Sequence, residues 1–229
     1  MFLGIDTSGA VAASLVHDGG ERTVRDDAPR RHAETLAPFV ARLLDEAGAT
    51  PADLEAVVVG TGPAPFTGLR VGLVTARVLG LARGVPVLGV PSLDALAEAV
   101  AQDPALPDGA GVLVVTDARR REVYWARYEV RADGTAVRTA GPDVAAPADV
   151  PRTDGDLVVG AGRDLYPDVF GTPDPRLAVG RAALTHPDPA LLVRIARRRL
   201  AAGETLPADP LYLRRPDAVP PAGGKRVLA

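Results

Sequence analysis

Residues 56–62 read AVVVGTG and residues 156–162 read DLVVGAG, the same apolar run closing on Gly-x-Gly in each half of the chain. The surroundings repeat as well. FLGID (2–6) and GVLVVTD (111–117) are apolar runs that end on aspartate, Asp6 and Asp117. Each is followed by alternating segments broken by turn signals, DGG at 18–20 and RADG at 131–134, which predict hairpins. A helical face then appears over 33–47, where Leu36, Phe39, Val40, Leu43 and Leu44 align, with Pro38 inside the pattern. Further helices are expected at about 68–83, near 92–101 and over DPALLVRIARRRLAAG, with Gly203 as a C-terminal cap. Strand–Asp, hairpin, helix and strand–Gly-x-Gly in the same order predict a duplicated α/β unit, two lobes facing each other.

The chain has 229 residues, enough for one large domain or two smaller ones. The Pro-, Gly- and Asp-rich stretch 102–111 divides it, giving an N-terminal lobe 1–103, a C-terminal lobe 104–215 and a flexible tail 216–229. No cysteine is present, which excludes disulfides and thiolate metal sites. The N-terminus has no basic region and reaches Asp6 early, so no signal peptide is expected. No apolar run approaches the roughly 20 residues that a bilayer requires. No membrane partner and a cytoplasmic location follow as expectations. The net charge of −3 gives no global pull toward nucleic acid. Arginines cluster at 119–121, 197–199 and 214–215, and charge runs of this kind read as solvated faces; RNA contact is the alternative.

The loop GTGPAPFTGLRVG (60–72) joins strand to helix and imitates a phosphate cradle. It is neither of the two common ones. No Gly-Lys-Ser/Thr follows, and Pro65 stands where the third glycine of GxGxxG belongs. The helix after it carries Leu69, Val71, Leu73, Val74, Val78, Leu79 and Leu81, more than one stripe requires. Small residues at 68, 72, 76 and 80 share one face and permit a close approach by the chain's own first helix or by another subunit. Paired aspartates and paired Gly-x-Gly loops suit Mg²⁺ and phosphate in a cleft, yet each is also an ordinary turn element.

IDTS (5–8), PRRH (29–32), GTGPAPFTGLRVG (60–72), GVPSLDALA (89–97), DARRREVYWARY (117–128) and PLYLRR (210–215) together resemble one family. The chain resembles the actin-like, sugar-kinase-like ATPase superfamily and, within it, the TsaB (YeaZ) proteins of bacterial tRNA threonylcarbamoyladenosine biosynthesis. The resemblance implies two ribonuclease-H-like lobes, each a mixed sheet with flanking helices. It implies a non-catalytic subunit that pairs with a catalytic paralogue, TsaD, and with a small ATPase, TsaE. That complex modifies the adenosine beside the anticodon in tRNAs reading codons that begin with A. The resemblance further implies a partner contact through the helices at 33–47 and 68–83, with His32, Leu36, Phe39, Leu43, Gly68, Arg70, Leu73, Arg77 and Val78 as interface candidates. Asp6, Thr7, Ser8 and Asp117 are candidates for nucleotide or interface contact. No cofactor of its own is expected, with ATP or ADP and Mg at the complex interface as the open variant. A homodimer of the lone chain stays open too.

The catalytic paralogue holds a metal through His-x-x-x-His on a helix. Here Ser92 and Leu96 occupy the matching places, and His17, His32 and His186 share no such spacing, so no catalytic metal is expected. The rival readings are a self-contained phosphotransferase around Asp6 and Asp117, a metal-dependent nuclease and a chain that binds tRNA directly through its arginines.

Overall fold

A computed structural model describes residues 1–27, 32–177, 180 and 184–214, except for the side chains of residues 32 and 33. The first half begins with β1 (Phe2–Asp6), β2 (Val11–His17), β3 (Gly20–Asp26) and helix α1 (His32–Glu46). It continues with β4 (Ala56–Gly60), α2 (Phe66–Arg83), β5 (Val87–Val90) and α3 (Ser92–Ala101). The second half contains β6 (Gly111–Asp117), β7 (Val123–Val130), β8 (Ala136–Ala145), β9 (Leu157–Val159), α4 (Ala161–Leu165), α5 (Pro167–Phe170) and α6 (Pro189–Ala201). The sheets are ordered β3-β2-β1-β4-β5 and β8-β7-β6-β9. In both, the first strand pairs antiparallel with the hairpin and parallel with the Gly-x-Gly strand. The duplicated unit expected from the sequence is present, as two mixed sheets with flanking helices.

Side chains of β4 alternate between two cores because strand residues alternate in direction. Val57 and Val59 join Leu3 and Ile5 under α1 and α2, against Leu36, Leu43, Leu69 and Leu73. Ala56 and Val58 face the other way, against Leu191, Leu192 and Ile195 of α6. Helices on both faces explain why AVVVG is an uninterrupted apolar run. The close seating of α6 depends on Gly4, where a Cβ would lie 2.5 Å from the Pro189 carbonyl oxygen.

Two expectations need correction. No helix equivalent to α1 lies between β8 and β9 among the described residues, where a short 3-10 turn at Pro147–Asp149 stands instead. The lobes also exchange helices, so spatial lobes do not follow the division at 103/104. α6 of the second half covers the first sheet, and α3 of the first half sends Leu93, Leu96 and Val100 into the second sheet's core. Every residue of α3 is buried, its charges included. Asp94 accepts from the Tyr128 hydroxyl at 2.8 Å and from Arg199 at 2.7 Å, with Arg138 at 3.4 Å. Glu98 receives Arg198 and the amide of Ala136. The 197–199 cluster is therefore not simply a solvated face: Arg198 and Arg199 clamp α6 to α3, and Arg197 lies over the Phe2 ring at 5.4 Å.

Candidate functional site

The ends of β1 and β6 and the starts of α2 and α4 converge on a cleft of about 1110 Å³ between the lobes. Thr7, Ser8, Gly9, Thr67, Gly68, Thr116, Asp117, Arg119, Asp164 and His186 are among its walls. Arg163, fully buried behind Asp164, bonds that carboxylate at 3.0 Å. Burial holds the His186 imidazole below its ordinary pKa, with Asp27 opposing that shift.

Asp6 lies beneath this cleft, 1% exposed. One carboxylate oxygen accepts from the Ser8 amide at 2.8 Å and the Ser8 hydroxyl at 2.6 Å; the other accepts from the Ser92 hydroxyl at 2.6 Å. Gly60 leaves room for that carboxylate, since a Cβ there would fall 1.9 Å from Asp6 Oδ2. Burial raises the pKa of Asp6, while the hydrogen bonds from Ser8 and Ser92 act in the opposite direction. Ser92 fixes the Gly-x-Gly loop too, accepting from the Gly62 amide at 3.2 Å. Leu96, one turn further along α3, is fully buried among apolar side chains.

Thr7 ties β1 to α2. Its hydroxyl donates to the Gly68 carbonyl at 2.8 Å and accepts from the Gly72 amide at 3.1 Å, bridging two groups that are ordinary helical partners. Asp117 is bound by its own loop: its carboxylate accepts the Arg119 amide at 2.7 Å and pairs with the Arg119 guanidinium at 3.0 Å. The two strand-end aspartates thus occupy equivalent places, but Ser92 and Arg119 already engage them. Among the described residues no group of three or more His, Asp or Glu could hold a metal ion.

The interface candidates separate into three groups. Leu36, Leu43 and Leu73 are buried in the first lobe's core, so they are not surface residues; Phe39 is half-buried against the same core. The small-residue face of α2 also points inward. A Cβ on Gly72 would meet Thr7 Oγ1 at 2.6 Å, and one on Gly80 would meet Val87 at 2.3 Å, so the close neighbour is the chain's own sheet. Exposed are Arg70, Arg77 and Val78, joined by Val74 and Leu81, which sequence reasoning did not single out as surface. Val74, Val78 and Leu81 are 55%, 59% and 86% exposed on one face. Gly68 lies at the cleft, and the side chain of His32 and the segment 29–31 lie outside the described residues.

Residues 23–156 match the family model described as TsaD: tRNA N6-adenosine threonylcarbamoyltransferase. The Escherichia coli (strain K12) tRNA threonylcarbamoyladenosine biosynthesis protein TsaB is 32% identical over 222 residues, 93% of this chain and 94% of that protein. The chain belongs to the TsaB family. YeaZ from Pseudomonas aeruginosa superposes with a TM-score of 0.78 at 30% identity, covering 93% of this chain and 99% of that one. An uncharacterized Mycobacterium tuberculosis protein is 46% identical over 95% of this chain and 93% of its own length. TsaB membership favours a place in tRNA threonylcarbamoyladenosine biosynthesis over the phosphotransferase alternative. Among the described residues, no helix is long and apolar enough to cross a membrane.

Proposed function

We propose that this chain is the TsaB-type subunit of the machinery that forms threonylcarbamoyladenosine in tRNA. In this reading it acts by docking a TsaD-type catalytic partner, and carries out no transfer itself. The supporting observation is the outer face of α2. Its inner face is locked to the sheet through Thr7, Gly72 and Gly80, whereas Val74, Val78 and Leu81 stand in solvent beside Arg70 and Arg77. A rigid helix with an apolar outer stripe and flanking charges suits a protein contact.

A small ATPase of the TsaE type and tRNA reached through the complex belong to the same reading, as does a cytoplasmic setting. Nucleotide at the shared surface would meet the Ser8 and Thr67 hydroxyls and the first-turn amides of α2, which no side chain caps. Neither Asp6 nor Asp117 suits Mg²⁺ here, since Ser8, Ser92 and Arg119 occupy their oxygens.

Co-purification with the TsaD-type protein of the same organism tests this. The wild-type chain should co-elute with it, and Val74→Glu/Val78→Glu should elute alone with an unchanged melting temperature. Size measurement of the lone chain reports whether the same stripe forms a homodimer. Retained binding by the double variant, or full transferase activity from this chain alone, overturns the proposal.

A further inference from the structure

The hairpin between β6 and β7 places three consecutive non-glycine residues in the left-handed region, Arg119, Arg120 and Arg121, with φ of 63°, 54° and 62°. L-residues adopt that region singly and at a steric cost, so a run of three must be held by its surroundings. Here Ala118 donates its amide to the Glu122 carbonyl at 3.1 Å, and Glu122 donates to the Arg119 carbonyl at 3.0 Å. From the far end of the chain, Arg214 donates to the Ala118 carbonyl at 2.8 Å and pairs with Glu122 at 2.8 Å. The result is a tight loop with all three arginines exposed and Arg119 on the wall of the cleft.

The segment that delivers Arg214 also delivers Tyr212. Its ring packs on Phe66 at 5.2 Å between centroids, and Arg70 lies over Phe66 at 4.7 Å. Both rings are large apolar groups left in solvent, Phe66 at 46% and Tyr212 at 44% exposure. Tyr124, on the strand that leaves the arginine loop, reaches the Ala64 carbonyl at 3.4 Å, two residues before Phe66.

We infer that Arg119–Arg121 with Phe66 and Tyr212 form an RNA-contact patch on this chain itself. Arginines on a rigid loop suit phosphate oxygens, and exposed rings suit stacking of an unpaired base. Contrast with α6 supports the assignment. Arg198 and Arg199 are consumed by buried Glu98 and Asp94, whereas the three loop arginines lie exposed, with Arg119 pairing with Asp117 at the surface. The choice of RNA as the polyanion rests on the reading of the chain as a tRNA-modification subunit; the patch adjoins the α2 stripe proposed for the protein partner through Arg70, and the variants below leave that stripe unaltered.

The test is binding of an unmodified tRNA transcript to the chain alone and to its complex with the TsaD-type partner, at several salt concentrations. Arg119→Gln/Arg121→Gln should weaken binding about tenfold or more and reduce the salt slope by about one per arginine removed. Tyr212→Leu should weaken binding several-fold with the slope unchanged. Arg121→Gln alone, at an exposed position, guards against loss of fold, and circular dichroism verifies each variant. Unchanged tRNA affinity in both settings overturns the inference while leaving the proposed function intact. Loss of the protein partner by these variants, with tRNA affinity unaltered, would instead assign the patch to a protein contact and overturn it too.

Discussion

The Ser92 hydroxyl donates to Asp6 Oδ2 at 2.6 Å and joins the start of α3 to the end of β1 beneath the cleft. Ser92→Ala removes that donor and leaves the Gly62 amide without its acceptor. A buried group left unpaired costs about 1–3 kcal/mol, which denaturant titration should register as a lower midpoint at unchanged slope.

The same carboxylate sets a pH dependence. Burial raises its folded-state pKa above the ordinary value of 3.8, so the folded protein retains a proton that the unfolded chain has released. The Asp6 contribution to stability is therefore greatest below 3.8 and declines as pH rises through the folded pKa, beyond which it is flat. Compared with Asp6→Asn, the wild type should lose stability on going from pH 4 toward neutrality. A relative gain would contradict the burial argument.

Much of this site was legible before the fold was known. FLGID and GVLVVTD, with their aspartate ends, determine the central strands, and the two Gly-x-Gly runs determine which strands lie parallel to them. Charges that act inside were less legible. SLDALAEAVA looks like a helix with a polar side, yet Asp94 and Glu98 are both 3% exposed because the second sheet and α6 enclose them. Nothing local in RRRL announces Arg198 and Arg199 as their partners, since that pairing depends on α6 crossing to the first sheet. The left-handed arginine loop is equally invisible, for glycine is the usual sign of positive φ and none is there.

The crossing of α3 and α6 makes a second measurable claim. Asp94→Ala strands Arg199 and Arg138 and removes the acceptor of the buried Tyr128 hydroxyl. Breaking a buried pair from one side costs about 3–5 kcal/mol, whereas replacing the whole set with apolar groups can be neutral. Asp94→Leu combined with Arg199→Met should therefore recover part of the loss in thermal melts. Equal damage from single and double variants would argue against the ion pair as the cause.

Gly72 offers a test of the Thr7 bridge. Glycine to alanine within a helix ordinarily stabilises by about 1 kcal/mol. At this position the added Cβ would fall 2.6 Å from Thr7 Oγ1 and displace the hydroxyl that holds Gly68 and Gly72. Gly72→Ala should destabilise by about 1–3 kcal/mol. In a Thr7→Ala background the same change should cost clearly less, because the clashing oxygen is gone; simple additivity would rule out the bridge as the reason.

Leu73 and Val78 belong to one helix and both fit a partner-facing reading of the sequence, but they answer to different surroundings. Leu73 is 3% exposed in the core under the first sheet, and Val78 is 59% exposed on the outer face. Glutamate at 73 would bury an unpaired charge and should cost about 4 kcal/mol or more, enough to unfold much of the lobe. Glutamate at 78 should change stability by no more than about 0.5 kcal/mol. Urea titration of Leu73→Glu and Val78→Glu side by side separates the two faces of α2 without any partner present. If Val78→Glu proves as damaging as Leu73→Glu, the outer stripe belongs to the fold, and the docking surface must be sought elsewhere.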